Sequence, residues 1–146
     1  MQLPDIDFTS NQAVFDHVVE HLLEQGERCG VLRAGDSVLQ CKYRSGDMAC
    51  AIGCLLTDEE AAMADGLNGG QSLISHVMRY CPTVEERLRH IDLRLLEDLQ
   101  NVHDDLDEGY NSTELRKVWR QELEVLAKKY NLVWRHGETG EADAVT

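Results

Sequence analysis

Several cysteines of the sequence are spaced as metal ligands often are. Cys50 and Cys54 have three residues between them, and Cys41 lies upstream. Zinc takes four ligands in tetrahedral geometry, usually from close pairs of Cys or His, and no second close pair follows these thiols. A structural zinc on Cys41, Cys50 and Cys54 is one hypothesis. A nucleophilic Cys50 or Cys54 activated by His103 is another, although no neighbour is expected to depress a thiol pKa. We favour a third, close packing of small side chains, because cysteine is among the most buried residue types.

A second candidate site surrounds His103. Asp104 follows it directly, and Asp107 lies four residues after it, so His103 and Asp107 can share one face of a helix. A His-Asp step is similar to that of metal phosphohydrolases, which need further His and Asp ligands from other helices. His76 and His90 are available, but the sequence does not place them. The alternative is a solvated acidic helix end in which His103 is a partly buried hydrogen-bond donor.

The segment His17-Val18-Val19-Glu20-His21 matches the His-x-x-Glu-His pattern of inverted zinc peptidases. In that pattern two histidines on consecutive helical turns bind the metal, and the glutamate acts as a base. Here the apolar residues of the same helix form one stripe, which consists of Phe15, Val18, Val19, Leu22 and Leu23. At about 100° per residue, His17 and His21 fall nearly opposite that stripe. We therefore expect both imidazoles to point at solvent, which disfavours a peptidase site.

The chain is strongly acidic. It has 27 Asp and Glu residues against 14 Lys and Arg residues, which gives a net charge of −13. This field repels nucleic acid and anionic membranes, so we expect neither as a direct partner. Between Glu97 and Glu114 there are seven acidic residues and no Lys or Arg. Such a run can bind a basic protein surface or imitate a phosphate backbone, and the alternative is a solvated face. The candidate interaction residues are Glu97, Asp98, Asp104, Asp105, Asp107 and Glu108.

The amino-terminal residues lack the basic and apolar regions of a secretory signal, and no apolar run approaches membrane-spanning length. The five cysteines are therefore expected to stay reduced in a cytoplasmic protein. Their odd number also argues against a closed set of disulfides. The sequence thus predicts that all the thiols are free.

The hydrophobic pattern predicts a helix, then a hairpin, in the first part of the chain. Thr9 and Gln12 have the spacing of a capping box for a first helix that ends near Gly26. Residues 27–36 show no period and are expected to form a loop. Residues 39–44 alternate apolar and polar side chains, as a strand does, and 45–47 have turn chemistry. The apolar run over 48–56 then predicts a buried turn or short helix.

Four further helices are predicted, over 57–66, 72–80, 83–106 and 115–130. Thr57 and Ser72 are expected to cap the first two, and Thr83 with Glu86 has capping-box spacing for the third. The predicted fold class is mainly α (α+β), with about five helices packed around a small β-hairpin. A single globular domain is expected over 1–134, followed by a mobile tail over 135–146.

Three steps of the sequence are distinctive. Residues 41–44 read Cys-Lys-Tyr-Arg, a glycine follows at 46, and residues 50–55 read Cys-Ala-Ile-Gly-Cys-Leu; residues 99–104 read Leu-Gln-Asn-Val-His-Asp. Together they resemble a group of small uncharacterised proteins from phages and prophages, whose steps are Cys-x-Tyr-Arg, Cys-Ala-x-Gly-Cys-Leu and Leu-Gln-x-x-His-Asp. The resemblance covers roughly residues 12–106. It implies a phage or mobile-element origin and brings no activity with it.

Two functional classes follow from these residues. The first is a non-enzymatic acidic interaction module without a cofactor, such as a phage-encoded inhibitor or modulator of a host nucleic-acid-binding or defence factor. Its partner would be a protein with a basic surface. The second is a small metal-dependent hydrolase that uses His103, Asp104 and Asp107 together with further ligands in a concave site. A structural zinc module on the cysteines is a further alternative. We favour the interaction module, because the charge is a direct property of the sequence.

Overall fold

The computed structural model describes residues 3–27, 29–31, 40–41, 43–45, 48–68, 73–104 and 111–137. These ranges contain six α-helices: α1 (Asn11–Gln25), α2 (Asp58–Asn68), α3 (Ile74–Tyr80), α4 (Pro82–Leu88), α5 (Leu93–Asp104) and α6 (Ser112–Lys129). Short antiparallel strand pairs lie between α1 and α2. The predicted fold class, mainly α with a small hairpin among the helices, is therefore confirmed. No helix in the described ranges is long and apolar enough to span a membrane.

The hairpin forms where alternation and turn residues predicted it. Strands β3 (Arg44–Ser45) and β4 (Met48–Ala49) are antiparallel, and a 3-10 helix over Gly53–Leu55 follows them. A second antiparallel pair joins β1 (Gly30–Val31) to β2 (Gln40–Cys41). Since β1 lies within 27–36, the prediction of a loop there is wrong at these two residues. A two-residue strand has no period of its own, and only its pairing with β2 defines it.

The first helix begins one residue later than its capping-box pattern indicated. Ser10 is the N-cap, since its Oγ accepts a hydrogen bond from the Ala13 amide at 3.1 Å. Thr9 instead donates its amide and hydroxyl hydrogens to Asp7 Oδ1, at 2.9 and 2.6 Å. The helix ends at Gly26, where a φ of 65° suits a residue without a Cβ. The predicted apolar stripe is buried, apart from the half-buried Leu23.

The prediction of one long helix from 83 to 106 is wrong. Pro82 occupies the first turn of α4, which ends at Leu88, and α5 begins only at Leu93. Between them, the Asp92 amide donates to Asn11 Oδ1 at 3.0 Å, and Asp92 Oδ1 accepts from the Arg94 amide at 2.9 Å. A contact from α1 thus fixes the break between α4 and α5, which the uninterrupted apolar period conceals.

The other helices follow their predictions with shifted ends. The second helix continues through Gly66 to Asn68, and the third stops before Pro82 as expected. Residue 72, the expected cap of α3, lies outside the described residues. The last helix has a full capping box, in which the Asn111 and Glu114 side chains each accept a hydrogen bond from the other's backbone amide.

Buried Glu60 joins α2 to α4. Its carboxylate accepts hydrogen bonds from both Arg87 guanidinium nitrogens at 2.6 and 3.0 Å, from the Thr83 hydroxyl at 2.5 Å, and from the Thr57 amide at 2.9 Å. Thr83 therefore does not form the capping box predicted with Glu86, because its hydroxyl is committed to Glu60. Burial raises the pKa of Glu60, but these hydrogen bonds and the Arg87 charge outweigh it and lower the pKa to about 2.

Gly53 lies where two segments of the chain come close together. A Cβ at Gly53 would stand 1.9 Å from the backbone carbonyl oxygen of Tyr43, a separation that no side chain can tolerate. The Tyr43 carbonyl also accepts the Cys50 amide at 3.1 Å, so it is held in place. Position 53 therefore requires glycine. Gly66, within α2, has no atom within 4 Å of its hypothetical Cβ.

We predict opposite effects for the same substitution at these two glycines. Gly53→Ala should lower the free energy of unfolding by at least about 3 kcal/mol, because the clash is with fixed backbone. Gly66→Ala should raise it by about 0.5–1 kcal/mol, since alanine is the better helix former and meets open space. Urea denaturation of both variants measures the difference. Equal effects at the two positions would contradict the close approach at Gly53.

We also predict an acid-dependent contribution from Glu60. Its pKa in the folded protein is below the ordinary 4.5, so its stabilisation is present in full above about pH 5 and is lost as the pH falls towards about 2. The stability difference between wild type and Glu60→Gln should therefore shrink as the pH is lowered. The adjacent, exposed Glu59 provides the control. Urea midpoints from pH 7 to 3 should show no such convergence for Glu59→Gln, and a constant gap for Glu60→Gln would refute the prediction.

Candidate functional site

Two of the distinctive sequence steps, at 41–44 and 99–104, meet in the core. Gln100, on α5, donates its side-chain amide to the Tyr43 hydroxyl at 2.9 Å. The Gln100 side-chain oxygen accepts the Ile74 amide at the start of α3, at 3.1 Å. All three residues are buried. Tyr43 and Gln100 thus satisfy each other's polar groups inside the protein, and this polar link holds the hairpin region against α3 and α5.

His103 is fully buried beside this link. Its Nε2 accepts a hydrogen bond from the backbone amide of Cys29 at 2.9 Å, and its ring stacks on Trp119 with centroids 6.0 Å apart. A backbone amide can only donate, so Nε2 supplies the lone pair that accepts this hydrogen bond. The sequence predicted a partly buried donor at this position, whereas this nitrogen is a buried acceptor. In this arrangement Nε2 is committed to Cys29 and is not offered to a metal ion.

The remaining members of the proposed metal cluster are not described in atomic detail. The backbone of Asp104 ends α5, its side chain is outside the description, and Asp107 falls in the gap between 104 and 111. His76 and His90 are both exposed, and the His76 ring is tilted by 57° against that of Tyr80, with centroids 4.9 Å apart. Among the residues that the structure describes, no three His, Cys, Asp or Glu side chains are grouped as metal ligands. A metal site on His103, Asp104 and Asp107 therefore stays a prediction.

Cys50 and Cys54 bond to their own turn. Cys50 Sγ accepts the Gly53 amide at 3.1 Å, and Cys54 Sγ donates to the Ala51 carbonyl at 3.2 Å. Both residues are 2% exposed, and burial raises the pKa of Cys54 to about 12. Cys54 is therefore a neutral thiol at pH 7, which is the state expected of a packed side chain rather than a nucleophile. The described cysteines, 29, 50, 54 and 81, form no disulfide with one another, while the side chain of Cys41 lies outside the description.

The prediction that His17 and His21 point at solvent is wrong. Both are half-buried, and His21 Nε2 lies 2.9 Å from the Ala49 carbonyl oxygen. Burial lowers the pKa of both imidazoles. Gln25, one turn further along α1, exchanges two hydrogen bonds with the Ala49 backbone at 2.9 and 3.0 Å. The hairpin and 3-10 segment thus cover a second face of α1, which a one-stripe reading of the helix could not show.

Asp98, in the first part of the acidic run, stabilises the fold. Asp98 Oδ2 accepts hydrogen bonds from the Lys129 ammonium at 2.8 Å and from the Tyr130 hydroxyl. Burial raises the pKa of Asp98, but these bonds outweigh it and the pKa is lowered; burial and Asp98 together raise the pKa of Tyr130. Asp98 therefore links α5 to the end of α6. Glu97 is half-buried, and Asp105, Asp107 and Glu108 lie outside the described residues.

An open groove of about 380 Å³ runs between α5 and α6. The sequence did not predict it. Its walls are Asp98, Asn101 and Val102 on α5, and Glu122, Val125, Leu126 and Lys129 on α6. Val125 is 62% exposed, although it is a large aliphatic residue on an otherwise amphipathic helix. An apolar residue lying off the buried stripe of the last helix was the available signal. Asp98 places this groove beside the first part of the acidic run.

We predict that His103 stabilises the folded protein. His103→Ala should lower the free energy of unfolding by about 2–4 kcal/mol, because it opens a cavity beside Trp119 and leaves the Cys29 amide without its acceptor. The exposed His90 is the control, and His90→Ala should change stability by less than about 0.5 kcal/mol. Chemical denaturation measures both. A wild-type unfolding midpoint that falls on addition of a chelator, together with a mild effect of His103→Ala, would instead support a metal site.

The chain matches no protein-family model, no curated protein and no solved structure. Its function has to be inferred from its own side chains and surfaces.

Proposed function

We propose that the protein is a non-enzymatic acidic interaction module that binds the basic surface of a protein partner. In the form that the phage resemblance suggests, it acts in the cytoplasm of a bacterial host as an inhibitor or modulator of a nucleic-acid-binding or defence factor. The observation that carries the proposal is the distribution of charge: several arginines are used inside the fold, while many carboxylates remain exposed.

Arginine side chains hold the loops of the protein. Arg44 is 12% exposed, forms an ion pair with Asp58, and donates to the Gly53 and Leu56 carbonyls at 2.9 Å each. Arg87 binds Glu60 and the Leu55 carbonyl. Two arginines of α6 behave similarly, because Arg116 donates to the Leu23 carbonyl at 2.7 Å and Arg120 is only 8% exposed. These guanidinium groups are directed at the fold and not at a partner.

Carboxylates outnumber Lys and Arg side chains at the described surface. Exposed acidic residues occur on α1, α2, α4 and α6, namely Glu20, Glu24, Glu59, Glu86, Glu114 and Glu122. The sequence adds the run Asp104, Asp105, Asp107 and Glu108 at the end of α5. A surface of this kind attracts a cationic partner from a distance and repels anions. A protein that binds the phosphate backbone presents a cationic surface of the required kind, so occupying it would inhibit that protein.

We predict that the acidic run contributes more to the capture of basic proteins than the same number of carboxylates elsewhere in the chain. The change is a quadruple amide variant of Asp104, Asp105, Asp107 and Glu108. It should bind several-fold fewer basic proteins from a bacterial lysate than wild type does, with bound proteins identified by mass spectrometry. Wild-type capture should fall between 0.1 and 1 M salt, as the screening length shrinks from about 10 to about 3 Å. Duplex DNA in excess should compete if the captured proteins bind nucleic acid.

The control removes the same charge elsewhere, with four amides at exposed positions: Glu20, Glu24, Glu59 and Glu86. Asp58 is left unchanged in this control because it pairs with Arg44. Equal losses in the two variants would mean that bulk charge alone attracts partners. No loss in either, or capture that salt does not weaken, would refute the proposed function.

A further inference from the structure

We infer that the groove between α5 and α6 is the docking site for an amphipathic, basic helix of the partner. This inference rests on the proposed function and identifies the part of the surface that gives it specificity. Charge attracts a partner but selects poorly among cationic proteins, whereas an apolar groove beside the charge can select a shape.

The groove has the geometry of a helix-binding surface. Asp98 contacts Lys129, and the Val102 carbonyl accepts the Trp119 indole N–H at 3.2 Å, so α5 and α6 run in opposite directions. The lining residues repeat at helical spacing on both walls, 98–101–102 on one and 122–125–126–129 on the other. Two helices with such a seam leave space for a third packed along it, in the way that helix-in-groove recognition uses.

Apolar side chains along the groove are available for contact. Val125 is 62% exposed, Val102 is half-buried, and Leu126 is 8% exposed between them. A leucine or similar residue of an incoming helix would cover Val125 and remove apolar surface from water, which is favourable. Exposed single hydrophobic residues are ordinary, but Val125 lies within a concave site next to charged groups.

The charge around the groove selects the occupant. Lys129 already neutralises Asp98, whereas Glu122 is exposed on the opposite wall and forms no ion pair among the described residues. The end of α5 leads into Asp104, Asp105, Asp107 and Glu108, with no Lys or Arg as far as Glu114. A helix bearing Lys or Arg beside its apolar face therefore complements Glu122 and the acidic excess of the chain.

Two other occupants are disfavoured by the same charges. A second copy would bring its own net charge of −13 close to a chain of the same charge. Residues 138–146 of the chain itself contain Glu138, Glu141 and Asp143 and no basic residue. Like charges at short range oppose both associations. The complementary occupant is thus a basic segment of another protein.

The test measures binding of two probes to the full chain by fluorescence anisotropy. One is a leucine–lysine peptide of roughly 18 residues, about five helical turns, designed as an amphipathic helix. The other is an oligolysine of the same charge. Val125→Gln removes the central apolar contact, and Val133→Gln makes the same change at another valine, 57% exposed and outside the groove.

Val125→Gln should lower the affinity for the helical peptide about five-fold, and Val133→Gln should change that affinity by less than about two-fold. Neither substitution should affect oligolysine. Glu122→Gln should weaken the peptide more than Glu86→Gln, which removes an exposed carboxylate on α4. Equal effects of the two valine substitutions overturn the groove as the docking site. A wild-type dimer in sedimentation that Val125→Gln dissociates also overturns it, because the occupant is then a second copy.

The two proposals fail in different ways. If both probes bind the wild type in a salt-sensitive manner but Val125 has no effect, the groove inference fails and the acidic interaction module stands. If neither probe binds at about 0.1 M salt, where charge attraction still acts over about 10 Å, both fail.

Discussion

The buried Tyr43 is the residue on which the arrangement of the helices depends. Its amide donates to Asp65 Oδ1 on α2 at 2.7 Å, its carbonyl accepts the Cys50 amide at 3.1 Å, and its hydroxyl accepts Gln100 on α5 at 2.9 Å. Backbone and side chain of one residue therefore connect the hairpin with α2 and α5. The carbonyl lies so close to position 53 that only glycine fits there. Since each of these polar groups is shielded from water, losing one partner would leave another unsatisfied.

This constraint gives residues of the distinctive sequence steps a structural role. Tyr43, Gly53 and Gln100 are each required by a contact inside the protein, and His103 accepts the Cys29 amide. Cysteines 50 and 54 bond to the turn that Gly53 makes possible. Residues that look chemically active in a sequence are thereby accounted for as polar and small components of a core. The surface, and not these residues, is where we place the function.

Several arginines stabilise the fold, whereas many carboxylates remain exposed. Arg44, Arg87 and Arg116 stabilise loops and helix ends by binding carbonyls and carboxylates, so part of the limited positive charge is held within the fold. In the proposed function the acidic excess attracts the partner, and the α5–α6 groove supplies an apolar contact to it. Long-range attraction and short-range selection would then arise from neighbouring features of the same two helices.

The sequence by itself determined the helical class, the α1 stripe, the hairpin turn and the last helix, because hydrophobic period and turn chemistry are local properties. It also determined the net charge. Tertiary structure alone decided where the helix breaks between α4 and α5, since a side chain of α1 binds the Asp92 amide there. It alone showed that α1 has a second covered face at His21, and that Thr83 serves Glu60 and not its own helix. The groove, too, was shown only by the tertiary structure. A period identifies the face that a helix buries, but it does not say which surfaces two packed helices leave open between them.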